Sequence, residues 1–121
     1  MRKLVVSASI VLFLASGLMA SPAQAANNKI VNGVSCSKLN ATTKGKGNES
    51  YKCAKNPYYK KTKKTWTWIE CLNAHQSLLG FKSDLKDFIA SGAGSADDIA
   101  SDQGFIDDFQ DATKEACKRG A

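Results

Sequence analysis

Residues 56–71, NPYYKKTKKTWTWIEC, hold the densest group of side chains that could bind a ligand. Their ammonium groups could contact the phosphates or carboxylates of an anionic polymer, and their flat rings could stack on bases or sugars. The alternative is a solvated hairpin loop whose lysines keep the protein soluble, with Trp66 and Trp68 buried between sheet and helices. The predicted binding residues are Tyr58, Tyr59, Lys60, Lys61, Lys63 and Lys64.

Few other residues offer chemistry. His75 is the only histidine, and the sequence has no serine elbow, phosphate loop or metal motif to accompany it. We therefore predict a partly buried polar position for His75, no catalytic residues and no cofactor. Six aspartates near the C-terminus do not have the alternating spacing and closing Glu of a calcium loop, and we interpret them as capping residues and a solvated helix face. They are Asp97, Asp98, Asp102, Asp107, Asp108 and Asp111.

The four cysteines, Cys36, Cys53, Cys71 and Cys117, are widely spaced. Structural zinc sites usually need close pairs such as C-x-x-C, so we predict no metal site. An even number of cysteines in a small exported chain predicts two disulfides, with three possible connectivities.

The N-terminus predicts export. Arg2 and Lys3 precede an uncharged apolar run, residues 4–19, and residues 21–25 end in a small-x-small pattern. This is typical of a secretory signal peptide, here residues 1–25, cleaved after Ala25. The alternative is an uncleaved anchor, for which the apolar run is slightly short. After cleavage we expect no stable membrane insertion and a secreted, extracellular protein that could associate with the cell wall.

The net charge of +6 hides an asymmetry. Residues 26–65 contain ten lysines and one glutamate, whereas residues 66–121 contain five basic and ten acidic residues. We predict a basic β meander over residues 26–69 and an acidic helical hairpin over residues 70–121, packed together as one domain.

The basic part has β-favouring pieces separated by turn residues. We predict strands at residues 29–35, 50–55 and 65–69, with a turn at residues 44–48. Strict alternation in the last strand places Trp66 and Trp68 on one face and Thr65, Thr67 and Ile69 on the other. A Cys36–Cys53 disulfide would tie the first strand to the second.

The acidic part has helical periodicity. One apolar stripe predicts a long helix that continues past Gly80 and ends near Gly92; it consists of Cys71, Ala74, Leu78, Phe81, Leu85 and Phe88. Ser95 and Asp98 predict a capped helical turn. A last helix is predicted from about Ser101, with a stripe of Phe105, Phe109, Ala112 and Ala116, and with Ile106 and Thr113 beside it.

Two helices joined by a short connection pack antiparallel. This arrangement brings Cys71 near Cys117, so we predict the disulfides Cys71–Cys117 and Cys36–Cys53. The predicted fold is small α+β: a disulfide-linked three-stranded β meander followed by an antiparallel α-helix pair.

Residues 33–68 resemble a small module that recurs in secreted actinobacterial proteins. The matching residues are Cys36-Ser37-Lys38, Gly45 or Gly47, residues 51–55 (YKCAK) and a following Trp. The module usually has Gly soon after the first Cys, where this chain has Asn40; Asn is the next-best residue at positive φ. The resemblance implies a disulfide-linked β meander in a bacterial protein and implies no reaction.

The expected function is that of a secreted, non-catalytic binding protein of the cell envelope or the extracellular space. The expected partner is an anionic polymer, either a cell-wall polymer or a polysaccharide. The alternative is a secreted effector, a toxin or an inhibitor, that docks on an extracellular protein. An enzyme and a structural protein without a ligand are further classes, and the sequence leaves the oligomeric state open.

Overall fold

A computed structural model describes residues 29–120 of the chain. The predicted signal peptide, residues 1–25, lies outside the described residues. Three strands, β1 (Thr42–Lys44), β2 (Ser50–Lys55) and β3 (Lys64–Trp68), precede two helices, α1 (Ile69–Ser91) and α2 (Ala96–Lys118). The sequence-based prediction of a small α+β fold with this order of elements is confirmed.

The strands form one antiparallel sheet in the order β1-β2-β3. Tyr51 in β2 lies opposite Thr43 of β1 and Trp68 of β3, and Cys53 lies opposite Trp66. Strand β2 has the predicted bounds, and β3 begins and ends one residue earlier than predicted. A single 3-10 turn, Lys46–Asn48, connects β1 to β2, at the position where a turn was predicted.

The predicted first strand, residues 29–35, is wrong. Gly33 has a φ of +92°, in the left-handed region, and the chain turns there. Beyond the turn, the Trp66 N–H donates to the Val34 carbonyl at 2.7 Å, and Ser35 forms one isolated bridge with Thr65. The segment therefore lies along β3, while β1 comes from the β-branched Thr42 and Thr43.

Asn40 has a φ of +68°. This is the left-handed conformation expected of the residue that stands where the module pattern has Gly. Next to it, the Cys53 N–H donates to the Ala41 carbonyl at 2.8 Å, and the Asn40 N–H donates to the Cys53 carbonyl at 2.8 Å. Asn40 thus turns the chain into its pairing with β2.

Helix α1 runs unbroken past Gly80, as its apolar stripe predicts, and ends at Gly92 with a φ of +70°. Cys71, Leu78 and Leu85 are its buried residues. Leu78 and Leu85 join Ile106 of α2 in a buried apolar cluster, which we call the helix core. Phe81, which was predicted in the same stripe, is instead exposed.

Helix α2 differs from the prediction in two ways. It is one helix from Ala96, without a break before Ser101, because Ile99 packs against the helix core and neither Gly nor Pro separates it from Ser101. Ser95 and Asp98 do form the predicted capping box. The buried face contains Ile106, Thr113 and Cys117 rather than Phe105, because Cys117 must face Cys71 and residues four and eleven positions earlier share its face.

The two predicted disulfides are confirmed. Cys36 and Cys53 connect the N-terminal segment to β2, with their Cα atoms 5.8 Å apart. Cys71 and Cys117 connect the start of α1 to the end of α2, with their Cα atoms 4.8 Å apart. The antiparallel helix pair creates the second juxtaposition, as the topology predicted.

The alternative interpretation, in which Trp66 and Trp68 are buried between sheet and helices, is wrong on their burial. The fully buried side chains of β3 are Thr65 and Thr67, both 0% exposed, whereas Trp66 and Trp68 are half-buried. An indole is large and is rarely fully buried. The Arg119 guanidinium covers one ring, with its carbon 4.5 Å from the Trp68 centroid.

Candidate functional site

The predicted binding residues lie in residues 58–64, which lead from the end of β2 to the first residue of β3 and which we call the Lys/Tyr loop. Asn56, which is fully buried, fixes the start of this loop. Its side-chain oxygen accepts the N–H groups of Tyr58 at 2.9 Å and Tyr59 at 3.0 Å. Its amide nitrogen donates to the carbonyl of Cys117 at 2.8 Å. The loop is thereby attached to the end of α2.

The two tyrosines of the loop are half-buried and already pack against the protein. Tyr58 contacts His75 edge to face, with ring centroids 5.4 Å apart. Tyr59 lies over Gly33 so closely that any side chain at that position would overlap its ring. Stacking on a ligand, the role predicted for both rings, would have to use the parts of the rings that these contacts leave accessible.

The four lysines of the loop fall into two pairs. Lys60 donates to the Gly33 carbonyl at 3.1 Å, and Lys64 donates to the Ser37 carbonyl at 2.7 Å. The side chains of Lys61 and Lys63 are exposed and make no hydrogen bond or ion pair with any residue in the range 29–120. The first pair therefore ties the loop to the N-terminal segment, and the second pair projects two ammonium groups into solvent.

Positive charge on this side of the molecule is largely unneutralised. Residues 38–64 contain nine lysines and one acidic residue, Glu49, whose carboxylate is paired with Arg119. Lys55 and Lys64 even lie directly opposite each other across β2 and β3. Like charges in such a pair repel, so a bound anion would relieve repulsion as well as supply attraction.

Glu49, Arg119 and Tyr51 form a small charged group beside the sheet. Tyr51 is buried, and its burial, together with the nearby Glu49 carboxylate, raises the pKa of its hydroxyl, while Arg119 acts in the opposite direction. The group joins the start of β2 to the end of α2. Because the single carboxylate is occupied in this way, it is not available to neutralise the lysines.

His75 is half-buried on α1, as predicted, beneath the ring of Tyr58. Burial lowers its pKa, and the positive charge of Lys82 acts in the same direction. All four cysteines are in disulfides. Within residues 29–120, no three His, Cys, Asp or Glu side chains are grouped so that they could hold a metal ion.

Two residues that hold the loop and the sheet in place were not identified from the sequence. Asn32 and Asn56 are buried asparagines whose amides bond to the carbonyls that end α2. In the sequence, Asn56 precedes Pro57, and this local pattern indicates only a break after β2. A buried hydrogen-bonding role depends on contacts between residues far apart in sequence, so no local pattern reveals it.

Comparisons with protein-family models, with curated proteins and with solved structures give no match for this chain.

Within the part of the chain that the structure describes, no helix combines the length and the apolar character needed to cross a membrane.

Proposed function

We propose that this chain is a secreted, non-catalytic binding protein whose Lys/Tyr loop contacts an anionic polymer of the cell envelope or the extracellular space. One observation carries the proposal: Lys61 and Lys63 project from an anchored loop within a lysine-rich region whose single carboxylate is already paired with Arg119. The predicted signal peptide and the two disulfides support export. The resemblance of residues 33–68 to a module of secreted actinobacterial proteins supports export as well.

The mechanism is electrostatic. A polyanion carries condensed counterions, and each lysine that contacts it releases about one of them into solution. The logarithm of the binding constant therefore falls linearly with the logarithm of the salt concentration. Lys61 and Lys63 supply direct contacts. Lys60 and Lys64 add charge while their hydrogen bonds hold the loop in one conformation, which lowers the entropy lost on binding. Tyr58 and Tyr59 border the contact and could add stacking.

The test measures binding of the exported, oxidised protein to heparin and to double-stranded DNA over a series of salt concentrations. We expect affinity to fall steeply with salt. The double variant Lys61→Gln/Lys63→Gln should bind more weakly and should reduce the magnitude of the log–log salt slope by about 2, about 1 for each lysine.

The matched control is Lys86→Gln/Lys118→Gln, which removes the same charge from exposed positions on α1 and α2. Because it leaves the loop intact, its salt slope should stay close to that of the unmodified protein. Equal losses in the two double variants would show that only net charge matters. Absence of salt-dependent binding to either polyanion would refute the proposal.

A protein target is the second candidate, as expected for a secreted effector. The observation that favours it is a set of exposed phenyl rings on the helix pair, chiefly Phe81 and Phe105. Contacts made through apolar surface persist at high salt, whereas polymer binding does not. A pull-down with the exported protein at low and high salt separates the two functions.

A further inference from the structure

Three phenylalanines form a cluster on the surface of the helix pair. Phe81 contacts Phe105 and Phe109 edge to face, with centroids 5.4 Å apart in both pairs, and Phe105 stacks with Phe109 at 6.0 Å. Phe105 is 55% exposed and Phe81 is 38% exposed. We call these three residues the phenyl cluster. Rings that are already ordered against one another can bind an apolar group with little further loss of entropy.

The phenyl cluster borders a cleft between α1 and α2. The cleft has a volume of about 310 Å³, and the helix-core residues Leu85 and Ile106 form part of its wall. Asp84 and Asp102 also line it. Neither carboxylate has a hydrogen bond or an ion pair with any residue that the structure describes. An apolar surface is thus flanked by two unneutralised negative charges.

The other side of the helix pair has the opposite character. A second groove of about 290 Å³ shares Leu85 and Ile106 but is otherwise lined by Lys82, Lys86, Ile89 and Gln103. Its apolar residue Ile89 is 49% exposed. The cleft and the second groove have similar volumes and differ mainly in charge and aromatic content. Charge complementarity therefore favours a basic ligand in the cleft and not in the second groove.

We propose that the cleft between α1 and α2 binds a basic amphipathic segment of a partner protein. Apolar side chains of that segment pack on the phenyl cluster, and its Lys or Arg groups lie near Asp84 and Asp102. An aromatic face also attracts a cation electrostatically, so Phe105 contributes to both contacts. This is a helix-in-groove type of recognition, and it uses residues that the Lys/Tyr loop does not.

The test uses a synthetic amphipathic Leu/Lys peptide as the probe and the corresponding Leu/Glu peptide as its control. Binding to the exported protein is measured by calorimetry at low and high salt. We expect saturable binding of the Leu/Lys peptide that weakens with salt but persists, because apolar burial remains. The Leu/Glu peptide should not bind.

Site variants decide where the peptide binds. Phe105→Ser should weaken binding by about tenfold, the effect of losing the burial of roughly one aromatic ring. Asp84→Asn/Asp102→Asn should weaken binding at low salt by about fivefold and should flatten its salt dependence. Each of these residues is exposed or at the surface, so circular dichroism should show an unchanged fold.

The matched controls are Ile89→Ser, on the other groove, and Asp87→Asn/Asp108→Asn, which removes two exposed charges outside the cleft. Both should leave affinity within about twofold of the unmodified protein.

Equal weakening by Phe105→Ser and Ile89→Ser, or equal binding of the two peptides, would overturn the proposal. Self-association in sedimentation equilibrium that Phe105→Ser abolishes would also overturn it, by making a second copy the occupant. The Lys61→Gln/Lys63→Gln variant should bind the peptide normally, which separates this test from that of the polymer.

Discussion

The sheet part and the helix pair are stabilised by different kinds of buried side chain. In the helix pair, the buried interior is mainly apolar and consists of Leu78, Leu85 and Ile106 together with Thr113 and a disulfide. In the sheet part, most of the buried side chains that the structure describes are polar, and the apolar ones are those of Tyr51 and Cys53. The buried polar residues there are Asn32, Asn56, Thr65 and Thr67. A sheet this small cannot exclude water by apolar area alone, so the hydrogen bonds of Asn32, Asn56 and Thr67 take a larger share.

The two parts meet through those asparagines. Asn32 accepts the Trp68 N–H at 2.7 Å and donates to the carbonyls of Ala116 at 3.1 Å and Arg119 at 2.9 Å. Asn56 donates to the carbonyl of Cys117. The last carbonyls of a helix have no partner inside the helix, so the sheet part completes α2 while α2 fixes the sheet. Each part therefore depends on the other for its geometry.

The largest expected effect comes from the disulfides. In the chain-entropy model, removing a bridge that closes 46 residues costs about 4 kcal/mol, and removing one that closes 17 residues costs about 3 kcal/mol. We therefore expect Cys71→Ala/Cys117→Ala to lower the free energy of unfolding more than Cys36→Ala/Cys53→Ala. Urea denaturation of both variants measures the difference. The reverse order would mean that the sheet part, with its polar interior, relies on its disulfide more than loop length predicts.

The next effect separates the polar contacts from the apolar ones. Asn32→Ala removes three hydrogen bonds and leaves buried backbone groups without partners, so we expect the free energy of unfolding to fall by about 2–3 kcal/mol. Asn73→Ala, at an exposed position on α1, is the matched control and should change it by less than about 0.5 kcal/mol. Urea denaturation again gives both values. If Asn32→Ala behaved like the control, the asparagine contacts would not be what joins the two parts.

Much of the fold follows from local patterns. Alternation and turn residues define β2 and nearly define β3, and an apolar stripe with a terminal glycine defines α1. The connection between two long helices restricts the cysteine pairing to the observed one. These features depend on residues close in sequence or on one simple topological rule, which is why the sequence alone predicts them.

The features that were missed depend on contacts across the molecule. Alternation along β3 does not tell whether the Thr face or the Trp face is buried, because that depends on how the rest of the chain packs against the strand. The rotation of α2 is decided by the Cys71–Cys117 disulfide, which turns Phe105 outward. The composition of the Lys/Tyr loop identified its lysines as candidate binding residues. It did not show that Lys60 and Lys64 donate to the carbonyls of Gly33 and Ser37, whereas Lys61 and Lys63 project into solvent. The same rotation of α2 places the phenyl cluster at the surface, where no periodicity argument located it.

The smallest expected effect compares glycines in the two parts. Gly80 is exposed inside α1, and a methyl group there would meet no atom of residues 29–120 within 4 Å apart from the helix's own nearby backbone. Gly80→Ala should therefore raise the free energy of unfolding by about 1 kcal/mol through helix propensity. Gly45 lies beside Tyr51, and a Cβ there would be 2.6 Å from the ring and 2.5 Å from the Ile30 carbonyl oxygen. Gly45→Ala should have the opposite sign and lower stability by at least about 1 kcal/mol, the cost of overpacking.

Urea denaturation midpoints of the two alanine variants, measured side by side, test this difference in sign. Gly104→Ala is a second helical case, because a Cβ there also meets nothing within 4 Å, and it should stabilise the protein in the same way as Gly80→Ala. A stabilising Gly45→Ala would mean that Tyr51 can move away from β1. The sheet part would then be loosely packed around Tyr51.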